Sequence, residues 1–454
     1  MTVEGLIINS LKKKDLLTLG FMMFSIYFGA GNLIFPPALG QAAGDHTLHA
    51  MLGFMTTGIG LPLLGITAIA LAGGEYVPLL HAKTWPRFAT VLLVILYLII
   101  GPLFAMPRTG AVSFEIGIRP FLSADNLALG QIIYTAVFFA SSYYLALNPN
   151  KIIDRVGRML TPALLIVLLI LFVQAFHAPL GAILPATGAY IDAPFAQGFQ
   201  DGYQTMDLLA SIAIGALVAN AVRMRGITDS RAVGAACLVS GLITVMLMAA
   251  VYGSLAYIGA TSTSILGQAE NGGQILSAAV GIFFGSAGNL LLAVIIGLAC
   301  LTTCCGITSS AAMFFNKLLK GRVSYERLLL FSIMFSFAAS NVGLTQIIAL
   351  AIPFLVTIYP LIIVFVILSL FDRFIGWRKS IYQGAMALTL VFSLIDGLHA
   401  AGLSSEPVHA LLVAYIPFYN IMMGWVCPAV IGALVGLAVS FFQTAPAAAK
   451  ESQV

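Results

Sequence analysis

Long apolar runs recur along almost the whole of this sequence, separated by short stretches that are basic or rich in turn residues. A helix needs about 20 apolar residues to cross the hydrocarbon of a bilayer. Twelve runs meet that length, at 16–39, 48–72, 88–114, 127–147, 157–177, 194–221, 232–258, 278–316, 324–341, 344–371, 381–400 and 411–442. Charged residues make up 8% of the 454-residue chain, against about 25% in soluble domains. The runs are therefore not the cores of an ordinary soluble fold. In lipid every backbone N–H and C=O must be satisfied within the protein, which leaves helices or closed barrels, and runs this long are helices. The pattern predicts an all-α polytopic membrane protein with 12 transmembrane helices.

Basic residues set the orientation. With the N-terminus inside, nineteen of the 21 Lys and Arg residues fall on the cytoplasmic side, from Lys12, Lys13 and Lys14 through Lys83, Arg223 and Lys317 to Lys379 and Lys450. Only Arg108 and Arg119 fall outside. The enrichment of cytoplasmic loops in Lys and Arg thus places both termini in the cytoplasm and favours an even number of spans. The polar leader lacks a small-residue cleavage site, so the first run is expected to stay as a helix. The whole of 1–454 reads as a single transmembrane domain, with an Ala-rich tail from Thr444 to Val454 expected to be mobile. Cys237, Cys300, Cys304, Cys305 and Cys427 lie inside apolar runs without C-x-x-C spacing and read as packing residues.

Inside the first run, Gly29-Ala30-Gly31-Asn32 makes a poor helix interior, because each glycine costs about 1 kcal/mol against alanine. A break at membrane depth persists where it lines a cavity or holds a ligand. The first half then ends in free carbonyls and the second begins with free N–H groups, each with its partial charge. A carboxylate fits the N–H groups of Ala30, Gly31 and Asn32, and a cation fits carbonyls such as those of Tyr27 and Phe28. An amino acid satisfies both poles. Pro36 and Pro37 are expected in the first turns of the second half, where a missing N–H matters least. The other reading is a small-residue packing seam or a plain kink. Span six carries a polar insertion of similar kind, Phe199 to Asp207. Breaks in the first helix of two five-helix halves point to an inverted repeat, 16–177 and 194–371, with a midplane site. The stretch 381–442 then forms two peripheral helices.

Span eight offers Thr302 and Thr303 as hard oxygen ligands for Na⁺, with Thr308 and Ser309 as a competing pair. Back-bonding of these hydroxyls to the preceding turn is the structural alternative. Asp207 is an intramembrane acid suited to a substrate amine, a cation or a proton, or else paired with a neighbouring helix. Arg108 and Glu115, about two turns apart at the outer end of span three, suit an outer gate or headgroup anchors. Asp396 in span eleven reads as structural. An ATP-driven pump is excluded by the lack of a Gly-Lys pair to close a phosphate loop, and a zinc protease by the lack of H-E-x-x-H. Composition alone leaves a channel open.

The stretch from Gly29 to Pro37 resembles the first-helix signature of the bacterial branched-chain amino acid:cation symporters. Pro107-Arg108-Thr109 with Val112 to Glu115 resembles that family's third-helix motif, and Asp201-Gly202-Tyr203 with Thr205-Met206-Asp207 its sixth. Gly110 stands where alanine is expected. The resemblance covers nearly the whole chain. It implies a LeuT-like 5+5 inverted repeat with broken helices 1 and 6, and import of leucine, isoleucine and valine with Na⁺ (or H⁺) by alternating access. It also implies a bacterial cytoplasmic membrane location, a monomer or weak homo-oligomer, and neither an enzyme activity, an organic cofactor nor a nucleic-acid partner. By likeness to the wider fold group, Ala30 and Gly31 hold the substrate carboxylate through their N–H groups. The Asn32 side chain and the Tyr27 carbonyl face a cation beside it. The carbonyls of Ser25, Phe28 and Ala299, with the hydroxyls of Thr302 and Thr303, form a second cation site. Gly29, Tyr203, Thr205 and Asp207 complete the implied substrate pocket. A channel, or a symporter for another small apolar amino acid, is the alternative class.

Overall fold

A computed structural model of the chain describes residues 13–442 apart from 75, 148, 228, 377 and 405. The leader before Lys13 and the tail after Phe442 lie outside the described residues. Every described element is helical. Span one is formed by α1 (Lys13–Tyr27) and α2 (Ala30–Ala43), and span two by α3 (Thr47–Met55) and α4 (Leu61–Leu71) joined through one π-turn. A short helix, α5 (Tyr76–Lys83), leads to span three, made of α6 (Pro86–Leu98) and α7 (Ala105–Gly117). Then come α8 (Leu127–Ala146) and α9 (Pro149–His177), and span six as α10 (Pro194–Asp201) and α11 (Asp207–Arg223). The rest are α12 (Ser230–Leu266), α13 (Gly272–Leu318), α14 (Tyr325–Ser340), α15 (Leu344–Leu370), α16 (Asp372–Ile375), α17 (Lys379–Ala400), α18 (Glu406–Tyr415) and α19 (Val426–Phe442). Seven helical runs among the described residues are long and apolar enough to cross a membrane, and shorter apolar helices lie at Pro162–His177 and Val426–Phe442.

The interruptions have local causes. In span three Gly101 leaves helical geometry (φ −95°, ψ −126°) and Pro102 follows it. Proline offers no N–H and clashes with the carbonyl a turn earlier, so α7 leaves on a new axis. Helix α13, at 47 residues, would reach about 70 Å if straight, more than twice the hydrocarbon thickness. It is kinked at Gly285 (φ 64°), a left-handed conformation that glycine adopts without strain. The stretch 411–442 is two helices rather than one continuous span. Pro417 follows α18, and Phe418 and Met422 take positive φ, so the chain turns before α19 begins. Pro36 and Pro37 lie in the second turn of α2, just past the four residues whose N–H groups have no partner within the helix.

The core forms where α2 and α4 pack along α12, and where α13 packs along α7 and α9. The α2–α12 contact is backbone to backbone. A Cβ on Gly259 would stand 2.0 Å from the Pro37 carbonyl oxygen. Helices α15, α17 and α19 form a second packed group. Four cysteines, Cys237, Cys300, Cys304 and Cys305, are buried packing residues, and Cys427 is half-buried; none is paired in a disulfide.

A buried ion pair lies beside the second group. Lys83 at the end of α5 donates to both carboxylate oxygens of Asp372 on α16, at 2.7 and 2.9 Å. The Tyr382 hydroxyl of α17 donates to the same carboxylate at 2.9 Å. Burial pushes the Lys83 ammonium below its ordinary pKa, and the bonds to Asp372 push it back only in part. Removing one member of a buried pair strands the other, at about 3–5 kcal/mol, whereas replacing both with apolar groups is often neutral. Asp372→Asn should therefore lower the thermal unfolding temperature of the detergent-purified protein clearly. Lys83→Met with Asp372→Leu should recover most of the loss.

Candidate functional site

The break in span one lies at Phe28 and Gly29, slightly before the four-residue window that the sequence marks. Phe28 N–H still donates to Phe24 at 2.8 Å, and Gly29 is extended (φ −119°, ψ −169°). Ala30, Gly31 and Asn32 are helical and form the first turn of α2. The N–H groups of Ala30 and Gly31 are thus first-turn donors with no acceptor among the described residues. Asn32 closes the gap: its Oδ1 accepts from Gly29 N–H at 3.0 Å.

Span six breaks between α10 and α11. One 3₁₀ turn covers Gly202–Thr205, and Met206 then takes a left-handed conformation (φ 62°). That conformation is uncommon outside glycine. Asp207 opens α11, where a carboxylate meets the positive end of the helix dipole. Its N–H donates to Thr205 Oγ1 at 3.3 Å, and Thr205 Oγ1 donates to the Gly202 carbonyl at 2.9 Å.

One amide joins the two breaks. Asn32 Nδ2 donates to Asp207 Oδ2 at 2.7 Å and to the Tyr252 hydroxyl of α12. Tyr252 in turn donates to Asp207 Oδ2 at 3.5 Å. The pattern fixes the amide orientation, since Gly29 N–H requires the oxygen and the carboxylate requires the nitrogen. Both ends of the Asn32 side chain are engaged within the protein, and the oxygen keeps a second lone pair beside its bond to Gly29 N–H.

Arg108 is not at the outer surface, where the basic-residue count placed it. It is buried at 4% exposure between the breaks. Nη1 donates to the Gln204 carbonyl at 2.5 Å and Nη2 to the Thr205 carbonyl at 3.3 Å. The guanidinium lies 5.2 Å over the Phe35 ring, and a Cβ on Gly31 would stand 2.9 Å from Nη2. Glu115 does not pair with it. That carboxylate instead accepts from Arg119 at 2.5 Å, Gln274 at 2.9 Å and Asn271 at 3.1 Å.

Gly29, Ala30, Gly31, Asn32, Tyr203, Thr205 and Asp207 are all buried. Tyr203 stacks on Tyr359 with ring centroids 4.3 Å apart. Of the residues expected to face an ion, Ser25, Tyr27 and Phe28 sit at the end of α1 and in the break itself. Thr303 lies beside them: a Cβ on Gly29 would stand 3.4 Å from its Cγ2 and 3.7 Å from its Oγ1. Thr302 instead donates to the Ala299 carbonyl at 2.9 Å, the back-bonding alternative, and so occupies a carbonyl named for the same site. Thr308 donates to the Cys304 carbonyl at 2.5 Å and to Met106 Sδ at 3.5 Å, so its hydroxyl is taken up against α7. Asp396 is buried near Tyr419 and His409, with one carboxylate oxygen unpartnered among the described residues, and lies within electrostatic reach of Tyr203 in the second break. Tyr252 was not legible at all, because a tyrosine in an apolar run reads as core.

Comparison with known proteins agrees with this architecture. The sequence matches the family described as "Branched-chain amino acid transport protein" over residues 12–443. It is 46% identical to the branched-chain amino acid permease BraB of Bacillus subtilis, covering 96% of this chain and 97% of that one. It is 44% identical to the branched-chain amino acid transport system 2 carrier protein of Pseudomonas aeruginosa, over 92% and 94% of the two chains. With the branched-chain amino acid permease BrnQ of Escherichia coli K12 it shares 39%, over 93% and 95%. Among solved structures, the fold is similar to that of Mhp1, a nucleobase-cation-symport-1 family transporter in a closed, ligand-bound conformation. The TM-score is 0.57 at 13% identity, over 94% and 92% of the chains. It is also similar to a manganese transporter of Eremococcus coleocola, with a TM-score of 0.58 at 14% identity, over 94% and 96%. These are LeuT-like folds. The chain belongs to the branched-chain amino acid transport protein family, a family of membrane transporters rather than enzymes.

Proposed function

We propose that the chain is a secondary active symporter that imports leucine, isoleucine and valine across the bacterial cytoplasmic membrane, with both termini in the cytoplasm. The observation that carries this reading is the junction of two interrupted helices through Asn32 and Asp207 at the centre of the bundle. Transporters built from inverted repeats bind substrate where such breaks meet. The proposed repeats are 16–177 and 194–371, with 381–442 peripheral to them. In this reading the first-turn N–H groups of α2 attract the substrate carboxylate and Asp207 receives its ammonium group. Buried apolar side chains hold the aliphatic part. One methylene is worth only about 1–3 kcal/mol in such a pocket, so the three branched-chain amino acids compete with one another.

The coupling ion is Na⁺ in this reading, seated between the carbonyls at the end of α1 and Thr303 on α13. Neutral oxygens of that kind suit a hard monovalent cation. Asp207 offers a carboxylate for H⁺ as the second possibility. An imposed ion gradient then drives alternating access.

Reconstitution into sealed vesicles tests the proposal. Leucine should accumulate against its gradient when Na⁺ is imposed outside and leak out when the gradient collapses. A channel only equilibrates it. Accumulation driven by H⁺ alone would transfer the coupling role to the proton. Thr303→Val should raise the half-saturating Na⁺ concentration about tenfold, equivalent to about 1.4 kcal/mol. Thr302→Val should change it little, because that hydroxyl is spent on Ala299. Asn32→Ala should abolish uptake while membrane insertion persists, because it removes the contacts to Gly29, Asp207 and Tyr252 together.

A further inference from the structure

The guanidinium of Arg108 brings a full positive charge to the centre of the bundle, and its nitrogens are unequally used. Nη1 and Nη2 serve the Gln204 and Thr205 carbonyls. Nε has no acceptor among the described residues, although the side chain is only 4% exposed. A buried charged donor is costly to leave unmet. The same guanidinium lies against Gly31, which carries one of the two unanswered N–H groups at the start of α2. The positive end of a helix dipole and a fixed cation therefore share one locality, with donors left over once the Gln204 and Thr205 carbonyls are served.

The compensating charge is close but not in contact. Asp207 lies within electrostatic reach of Arg108, and no ion pair joins them among the described residues. Asn32 takes the carboxylate instead. The site thus holds a fixed cation and a fixed anion apart, each with hydrogen-bonding capacity to spare. That is the charge pattern of an α-amino acid zwitterion in reverse.

Resting on the site proposed above, we infer that Arg108 anchors the carboxylate of the transported amino acid. Its Nε and the N–H groups of Ala30 and Gly31 donate to the carboxylate, and Asp207 accepts from the ammonium group. The chain itself then supplies the positive charge opposite the carboxylate, so no cation is needed beside it. Asn32 serves as a strut between the breaks, and the ion site at Thr303 is the one that remains. One coupling cation travels with each amino acid.

The test is competition against labelled leucine on the purified full chain, with leucine and leucinamide as competitors. Leucinamide keeps the ammonium group and side chain and lacks the carboxylate. The wild-type protein should prefer leucine, and the ratio of the two affinities should not change with Na⁺ concentration. A ratio that falls as Na⁺ is withdrawn would assign the carboxylate to a bound cation and overturn the inference. Arg108→Gln should weaken leucine about 10- to 100-fold, the range for a hydrogen bond to a charged group, and leave leucinamide within a few-fold, so that the ratio collapses. If Arg108 only braces the Gln204 and Thr205 carbonyls, both competitors weaken together and the ratio survives, which refutes the anchor. Arg108→Lys keeps the charge without the fork and should give an intermediate ratio, so the comparison stands if the glutamine variant does not fold. Asp207→Asn separates the two readings. If the pocket itself is misplaced, neither Asp207→Asn nor Arg108→Gln alters leucine affinity. If only the anchor is wrong, Asp207→Asn still weakens leucine while the ratio survives in Arg108→Gln.

Discussion

The amide of Asn32 is the contact on which the centre of this molecule depends. Two helical runs are interrupted inside the bundle, and each interruption bares peptide groups that an apolar interior cannot satisfy. Asn32 ties the two together. Its oxygen caps the Gly29 N–H of the first break, and its nitrogen reaches the carboxylate that opens the helix after the second. Either break alone would cost several kcal/mol in unmet backbone groups. Joined, they form a shared polar interior within an apolar bundle.

The charges at the junction follow the helix ends. Asp207 stands at the positive end of α11, and Arg108 donates to the last carbonyls before Met206, at the negative end of the preceding turn. Each side chain thus meets a backbone dipole of opposite sign. This explains how two formal charges are tolerated in a bundle whose neighbours are almost entirely apolar. They are held by the backbone of the broken helix more than by each other, and that keeps them apart.

Much of this was legible in the sequence, and the limits have physical reasons. The helical runs were visible because hydrophobic length is a strong signal, and the first break because paired glycines are a poor helix interior. The sixth was visible through its polar residues. Other features were hidden. Arg108 was placed at the outer surface because a cation near a helix end ordinarily reaches for water. The Gly101–Pro102 kink and the backbone carbonyls that receive the guanidinium are tertiary facts with no local signature. Tyr252 completes the network from α12, yet in sequence it is one aromatic among many. The interruption of 411–442 went unread because the turn residues there are embedded in apolar ones, and hydropathy averages over them.

The network also bears on how such a bundle can move. Asn32 belongs to α2 and Asp207 to α11, while Arg108 belongs to α7 and Tyr252 to α12. Four helices therefore share a handful of hydrogen bonds, all buried. Separating the broken helices from α7 or α12 means opening some of these bonds in a place without water to replace them. A ligand shifts such an equilibrium only by the difference in its affinity for the two arrangements. Under the proposed function, a zwitterion entering this junction would exchange partners with groups that already face one another, and so lower the cost of parting them. An apolar molecule of the same size supplies no such exchange. On that proposal the polar contacts that hold the four helices together are also the ones through which a cargo would part them.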